Sequence, residues 1–431
     1  MDILSALPAE HVLMASDKCQ VTVAQMYEYV ASVQQQLMDS NVRSCALFSE
    51  DKMMYIAVFL ACISADIDIV LPANNLPELA KKISVDCLIG DWGTQAKPID
   101  LSVKDSTVGQ MNTDSNSKIT LFTSGSTGEP KSITRSLSQL LAEIEVLDDT
   151  FAGNWQKCLF ASTVSHQHIY GLLFSILWPI CKGHTVWYKL LPFEEMIDDI
   201  NQLQLPWVLV SSPAFLKRLN EDHSSNSSPI QVFSSGGVLT DAQHFRAEKK
   251  LAAFITQVYG SSETGGIAHR GLQQDWLYFM GVESKIEAKQ LWVRSAFCYR
   301  DDWLCTQDLI EVTDKGFKLL GRNDRIVKIE EKRISLNMIE QQAIKLEWVV
   351  DAAALVIEEG RQYIATVFEI NQTGLDFINQ YGEVELKKAI KNVLSQTIDR
   401  IALPRKIRFS TDPLVNSQGK KIQAELVKLF T

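Results

Sequence analysis

Ile119-Thr120-Leu121-Phe122-Thr123-Ser124-Gly125-Ser126-Thr127-Gly128-Glu129-Pro130-Lys131 is the stretch whose reading decides the fold. Its first four residues are an apolar run that reads as a strand. The nine that follow pack hydroxyls, two glycines and a lysine into one loop. Glycine lets the backbone turn with positive φ and bring its N–H groups close to a ligand. Successive N–H groups in such a turn form a concave anion site, and Pro130 fixes the exit from it. The loop reads as one that grips a triphosphate. The common phosphate loop is excluded, because Pro130 stands where G-x-x-x-x-G-K-[ST] needs its second glycine. Gly419-Lys420 fails the same test at Leu414, and Gly260-Ser261-Ser262-Glu263-Thr264 ends in threonine, so it is no serine-hydrolase elbow.

The strands around the loop alternate with helices. Thr22 to Leu37 predicts a helix, with Val23, Met26, Tyr27, Val30 and Val33 at three- and four-residue steps. Ala46-Leu47-Phe48, Ile67 to Leu71 and Asp86 to Gly90 read as strands, with a buried helix over Tyr55 to Ala65. After the loop come a helix over Ser138 to Asp149 and buried strands at Val208 to Val210 and Gln231 to Phe233. Such alternation implies parallel sheets with helices on their faces. Between Glu283 and Val312 the segments shorten, as in Leu291-Trp292-Val293. Beyond Gly321 a charged stretch leads into compact β/α alternation: strands at Ala352 to Glu358, Tyr363 to Ile370 and Lys406 to Phe409, and a helix over Glu383 to Gln396. The expected organisation is a large N-terminal domain, 1–322, and a smaller C-terminal one, 323–431.

The composition of the 431 residues is that of a globular protein, 46% hydrophobic and 22% charged. A formal charge of -10 argues against a nucleic-acid partner, since phosphate backbones need clustered lysine and arginine. Eight cysteines lie scattered with no C-x-x-C pair, which supports neither a zinc site nor a redox dithiol. Met1-Asp2-Ile3-Leu4 has no basic region or signal-peptide core. The longest apolar run, Ile169 to Cys181, contains Pro179 and is too short to span a bilayer. A cytoplasmic protein without a membrane span is expected.

Five further segments follow the loop in order. They are His168-Ile169-Tyr170-Gly171-Leu172, Ser235-Gly236-Gly237, Tyr259-Gly260-Ser261-Ser262-Glu263, Thr306-Gln307-Asp308, and Gly321-Arg322-Asn323-Asp324 running on to Lys328 and Arg333-Ile334. Asn416-Ser417-Gln418-Gly419-Lys420 closes the series. Together they resemble the adenylate-forming superfamily of acyl- and aryl-CoA synthetases, carrier-protein-loading adenylation enzymes and firefly-type luciferases, over nearly the whole chain. The opening loop matches T-S-G-[ST]-T-G-x-P-K, and the Tyr259 segment matches Y-G-x-T-E with serine for threonine.

The resemblance implies an α/β fold. Its large N-terminal domain has parallel sheets with helices and ends in a small barrel-like region. A small mobile α+β domain follows, with a hinge at Asp324. It implies ATP and Mg²⁺ as cofactors. The reaction joins a carboxylic acid to AMP with release of pyrophosphate, then passes the acyl group to a phosphopantetheine thiol of an acyl carrier protein or CoA. Two anions must meet in the first step, so positive charge and donors are needed where they do. Lys420 is assigned to that point, with Lys421 as its rival, and Arg322 to phosphate or ribose. Thr123, Ser124, Gly125, Ser126, Thr127, Gly128 and Lys131 would hold the leaving phosphates. Gly236, Gly237, Tyr259, Gly260 and Ser262 would flank adenine, and Asp308 would accept from the ribose hydroxyls. Glu263, a hard oxygen ligand, suits Mg²⁺. His168, Tyr170 and Gly171 would border the acyl site, and Glu331 and Arg333 the thiol tunnel.

Three positions depart from the family pattern. Glu331 stands in place of a glycine at the thiol approach, which favours a carrier protein over anionic CoA. Gln307 replaces a glycine before Asp308. Lys421 adds a second lysine where an apolar residue is usual. The stretch Val164 to Trp178 holds no Asp or Glu to pair a substrate ammonium, so a fatty or aromatic acid is expected. An adenylate-using oxidase and a non-enzymatic ATP- or acyl-binding relative are the alternatives.

Overall fold

A computed structural model describes residues 4, 7–72, 74–102, 115–124, 130–153, 155–203, 205–220, 228–329, 332–359, 361–398, 400–416 and 421–430. These fall into two compact units. One holds the described residues through 124, then 130–283 and 294–302; the other holds 284–293 and those from 303 onward.

Two sheets build the first unit. A six-stranded sheet is ordered Ala96–Lys97, Cys87–Gly90, Ser44–Phe48, Asp68–Leu71, Lys118–Ser124, Pro130–Ser136, parallel except for its last pair. A nine-stranded sheet is ordered Leu277–Tyr278, Gly265–Arg270, Ile255–Ser261, Gln231–Ser234, Trp207–Ser211, Leu159–Ser162, Thr185–Leu190, Val12–Ala15, Gln20–Thr22. Its central pairings are parallel and its outer ones antiparallel. The alternation read from the sequence is therefore present, with strand and helix ends within a few residues of expectation.

The helices start where local chemistry directs. Thr22 and Gln25 form a reciprocal capping box on the helix Val23–Asp39, and Ser136 and Gln139 form another on Leu137–Phe151. The helix Lys52–Ser64 is capped by the Asp51 side chain, which accepts from the Met54 amide, and is buried along its whole length from Tyr55 to Ile63. The apolar run 169–181 is one helical stretch interrupted by a π turn over Leu173–Leu177. Among the described residues no helix is long and apolar enough to cross a membrane.

The shorter segments after Glu283 form an open four-stranded sheet ordered Glu283–Glu287, Gln290–Arg294, Leu304–Val312, Phe317–Arg322, most of which groups with the C-terminal unit. Beyond it lie a hairpin, Ile326–Ile329 with Lys332–Ser335, and a three-stranded sheet. In that sheet Val349–Glu359 pairs antiparallel with Arg361–Ile370, and Lys406–Ser410 pairs parallel with it. Helices Leu336–Ala343, Gln372–Tyr381 and Glu383–Leu394 complete this α+β part, whose own core includes Ile339, Phe368, Leu386 and Ile407.

Candidate functional site

The decisive loop joins two paired strands. Thr123 and Ser124 end the strand Lys118–Ser124, and Lys131 sits opposite Thr123 at the start of the strand Pro130–Ser136. Gly125, Ser126, Thr127 and Gly128 lie outside the described residues.

The turn carrying Glu263 is the best-defined part of the site. It leaves the C-terminal end of the strand Ile255–Ser261, on the side of a parallel sheet where ligands bind. Gly260 packs so closely across the turn that a Cβ there would lie 2.2 Å from the Gly265 carbonyl oxygen. Ser261 and Thr264 exchange hydrogen bonds, amide to hydroxyl, at 3.1 and 3.2 Å. The Tyr299 amide donates to the Glu263 carbonyl at 2.9 Å. Beneath the turn lies an ion pair: Arg135 Nη2 donates to Glu143 Oε2 at 3.1 Å, with the side chains 0% and 5% exposed. Arg135 Nη1 also donates to the Ser262 carbonyl at 3.3 Å, and Glu143 Oε1 accepts from the Gly266 amide at 2.7 Å. The Glu263 side chain has no hydrogen bond or ion pair among the described residues, although its own carbonyl and that of Ser262 both accept one.

That free carboxylate suits Mg²⁺, which takes one or two carboxylates and fills the rest of its octahedron with phosphate oxygens and water. Among the described residues no cluster of three or more His, Cys, Asp or Glu side chains occurs, so the donor set fits a metal that arrives with a phosphate ligand and not an all-protein cage.

Nearby in the same unit, Gly236 takes φ +90 just after the strand Gln231–Ser234, and the Ser235 hydroxyl donates to the Val258 carbonyl at 2.8 Å. This ties the Ser235–Gly237 turn to the residue before Tyr259. The Tyr259 ring meets Trp276 edge-on at 5.6 Å.

In the other unit, Asp308 and Arg322 sit directly opposite each other on paired strands, with Nη1 and Oδ1 3.8 Å apart. Gln307 adopts φ +64, a left-handed conformation that accounts for the glycine usual at this place. Strand register slips across 305–309, and the Asp308 amide donates to the Thr306 hydroxyl at 3.1 Å. The residue is thus set on a bulge, a device that re-aims a side chain.

His168 is the N-cap residue of the helical stretch containing Tyr170 and Gly171. The Tyr170 hydroxyl is buried beside the Ser211 backbone without a hydrogen bond of ordinary geometry, and burial pushes its pKa up. Phe174 and Trp178 belong to the core, as their pattern implies. They sit in a ring cluster with Phe151, Trp155, Phe160 and Phe233, at centroid distances of 4.9–6.4 Å. The apolar character of this stretch therefore reports packing first.

Lys420 and Glu331 lie outside the described residues. Asp324 falls in the short helical turn Asn323–Arg325, and Arg333 in the strand Lys332–Ser335. Lys421 is engaged elsewhere: its Nζ donates to Asp351 Oδ1 at 2.9 Å and to the Ala352 carbonyl at 2.6 Å.

Three buried charged residues escaped the sequence reading. Arg135 alternates with exposed Ser132 and shares the inward face of its strand with Ile133, and Glu143 falls on the stripe Leu140, Ile144, Leu147. A charge at an inward position was the available signal. Lys52 gave none. It is 1% exposed, donates to the Ser162 hydroxyl at 3.3 Å and the Trp187 carbonyl at 2.8 Å, and has no carboxylate partner among the described residues. Burial lowers its pKa to about 7. His166, buried nearby and donating from Nε2 to the Ser49 carbonyl at 2.8 Å, is lowered to about 3 by burial and by Lys52.

Two α/β sheets with a carboxylate presented at strand ends give the fold and a candidate site. Comparison with known proteins gives the family. Residues 69–282 match the family described as AMP-binding enzyme. A 4-coumarate–CoA ligase of Cereibacter sphaeroides is 25% identical over 313 residues, covering 70% of each chain. A 3,4-dihydroxybenzoate–[aryl-carrier protein] ligase of Bacillus anthracis is 21% identical over 240 residues, 54% of this chain and 57% of that one. O-succinylbenzoate coenzyme A synthetase from Bacillus subtilis, solved with ATP and magnesium ion, superposes with a TM-score of 0.80 at 16% identity, covering 98% of both chains. Residues 69–282 thus carry an AMP-binding enzyme domain, and the chain is similar to CoA ligases and an aryl-carrier-protein ligase.

Proposed function

We propose that this protein uses ATP to convert a fatty or aromatic carboxylic acid to its acyl-AMP, releasing pyrophosphate, and then passes the acyl group to a phosphopantetheine thiol. The observation that carries the reading is the Glu263 carboxylate, without a hydrogen bond or ion pair among the described residues, on a turn whose backbone is held at Ser262, Glu263 and Gly266. Relatives acting on coumarate and dihydroxybenzoate support an aromatic acid.

Each step has a physical requirement that named residues meet. Thr123, Ser124, Lys131 and the loop from Gly125 to Gly128 hold the phosphates that leave as pyrophosphate. Glu263 holds Mg²⁺, which when bound offsets charge on those phosphates. Gly236, Gly237, Tyr259, Gly260 and Ser262 border the adenine, Asp308 takes the ribose hydroxyls, and Arg322 neutralises phosphate. His168, Tyr170 and Gly171 border the acid. The acid's carboxylate oxygen attacks the α-phosphorus and the bond to the β-phosphate oxygen breaks; Lys420 offsets the charge where the two anions meet. The ion pair of Lys421 with Asp351 supports Lys420 over Lys421 in this role. The C-terminal domain, 323–431, would turn about Asp324 to present Glu331 and Arg333 for thiol capture.

For the acceptor, Glu331 favours a carrier protein. CoA's nucleotide is strongly anionic and repelled by a nearby carboxylate, whereas a carrier delivers the same arm without it. The test of the first half-reaction is acid-dependent pyrophosphate exchange across fatty and aryl acids. The test of the second is the ratio of thioester-forming rates for a phosphopantetheinylated carrier and free CoA with one good acid. A preference for the carrier that narrows in Glu331→Gly supports the assignment; efficient CoA loading with no carrier preference overturns it.

A further inference from the structure

We propose that Arg135 and Glu143 are positioning residues that hold the turn carrying Glu263 in register with the strand leaving the phosphate loop. This inference rests on the function proposed above. Arg135 lies four residues beyond Lys131 on the strand Pro130–Ser136, and Glu143 lies on the helix that follows directly. Arg135 Nη1 grips the Ser262 carbonyl, the residue before Glu263. Glu143 Oε1 grips the Gly266 amide, three residues after it. The pair therefore clasps the turn from both sides and ties it to the chain that emerges from the loop.

A buried ion pair needs such a reason to persist. Pairs of this kind are often no more stabilising than apolar residues of similar volume, because desolvation offsets their attraction. Stability alone would also fill every donor, yet Arg135 Nε is buried with no acceptor. Gly265 sharpens the point. At φ +67 it lies where a Cβ would come within 2.7 Å of Glu143 Oε2, so the turn closes onto the carboxylate itself. Gln139, one helical turn earlier, adds a bond from Nε2 to the Cys298 carbonyl at 2.7 Å, next to Tyr299, whose amide holds the Glu263 carbonyl. Strand, helix and the 295–299 loop thus converge on the backbone turn that carries Glu263. The pair thereby fixes the backbone from which the Glu263 side chain springs, not the carboxylate itself.

Two variants test this, Glu143→Gln and the double variant Arg135→Met with Glu143→Leu, which leaves no lone charge in the core. Mg²⁺ half-saturation in pyrophosphate exchange, the acid KM, and ATP affinity by calorimetry with and without Mg²⁺ are measured alongside melting temperature. Loss of partners behind a metal ligand weakens metal affinity by about 10–100-fold. The expected result is a rise of that order in the Mg²⁺ requirement of both variants, with the acid KM changed less than about twofold. The gain in ATP affinity on adding Mg²⁺ should shrink in parallel, and the double variant should melt near wild type. A double variant that melts normally with wild-type Mg²⁺ dependence would make the pair a fold element only. Equal losses in acid KM and Mg²⁺ dependence would overturn the proposal as well. If wild type itself shows no acid-dependent exchange, the functional reading fails, and the calorimetric Mg²⁺ effect still decides the role of the pair.

Discussion

Around Glu263 the chain holds its shape with directed polar bonds, whereas behind His168 it does so by packing ring on ring. The turn 259–266 is fixed by an ion pair, reciprocal hydroxyl–amide bonds and amide–carbonyl contacts from three separate elements. Among the described residues, the wall formed by Phe151, Trp155, Phe160, Phe174, Trp178 and Phe233 has one side-chain hydrogen bond, Trp178 Nε1 donating to Asp148 at 2.9 Å. The difference follows from what each must do. A carboxylate that meets a cation must point in one direction, and only hydrogen bonds specify direction. A packed aromatic wall must exclude water and keep its volume, which dispersion and apolar burial accomplish.

The contrast can be broken from either side. The largest stability effect should come from Phe174→Ala, which opens a cavity in the wall and should cost about 3–5 kcal/mol. Denaturant unfolding measures the loss, while ATP affinity of the folded variant should stay near wild type. If ATP binding falls together with stability, the two regions are not separable in the way described.

Next in size is Lys52→Met. Lys52 is a buried amine whose folded pKa, about 7, lies below its ordinary value of 10.5. Below pH 7 it is charged in both states and its burial cost is present in full. Between about pH 7 and 10 the unfolded chain binds a proton that the folded chain does not, so stability rises with pH across that window. Replacing the amine with a thioether should stabilise the protein by about 1–3 kcal/mol at pH 6.5 and flatten the rise. Unfolding curves at pH 6.5 and 9 decide it; a destabilised variant with an unchanged pH slope would show that Lys52 is not a buried charge.

The smallest effect belongs to the bulge. Gln307→Gly relieves a left-handed backbone and should stabilise by a few tenths to about 1 kcal/mol. Because Asp308 is aimed by that bulge, nucleotide affinity should be unchanged when the conformation is kept. A clear loss of stability would mean that the Gln290–Gln307 side-chain bond, 3.0 Å, outweighs the strain.

Much of this was legible in the chain because apolar runs and turn residues act locally. The order of strands and helices follows from runs such as Ile119–Phe122 and from Ser136 and Thr22 as caps. Gln307 was legible as an oddity, and its positive φ explains why. The first turn of the helix Lys52–Ser64 was missed because Ser49-Glu50-Asp51-Lys52 reads as a polar surface turn. Its burial is imposed by Ser162 and Trp187, more than a hundred residues away. Arg135 and Glu143 were overlooked for a different reason. Each sits at an inward position of its own element, but a partner makes the position tolerable, and that pairing exists only after folding. Lys420 and Lys421 were indistinguishable by spacing, because they stand side by side after Gly419; Lys421 meets Asp351, and Lys420 lies outside the described residues.

The central claim is that this protein joins a carboxylic acid to AMP, and exchange of labelled pyrophosphate into ATP tests it most directly. With wild-type protein and a panel of aryl and fatty acids, exchange should depend on added acid and on Mg²⁺. Lys420→Ala should lower it by about 100–1,000-fold with ATP binding retained, and Lys421→Ala should have a much smaller effect. Exchange that no acid stimulates, or that survives Lys420→Ala intact, would contradict the account.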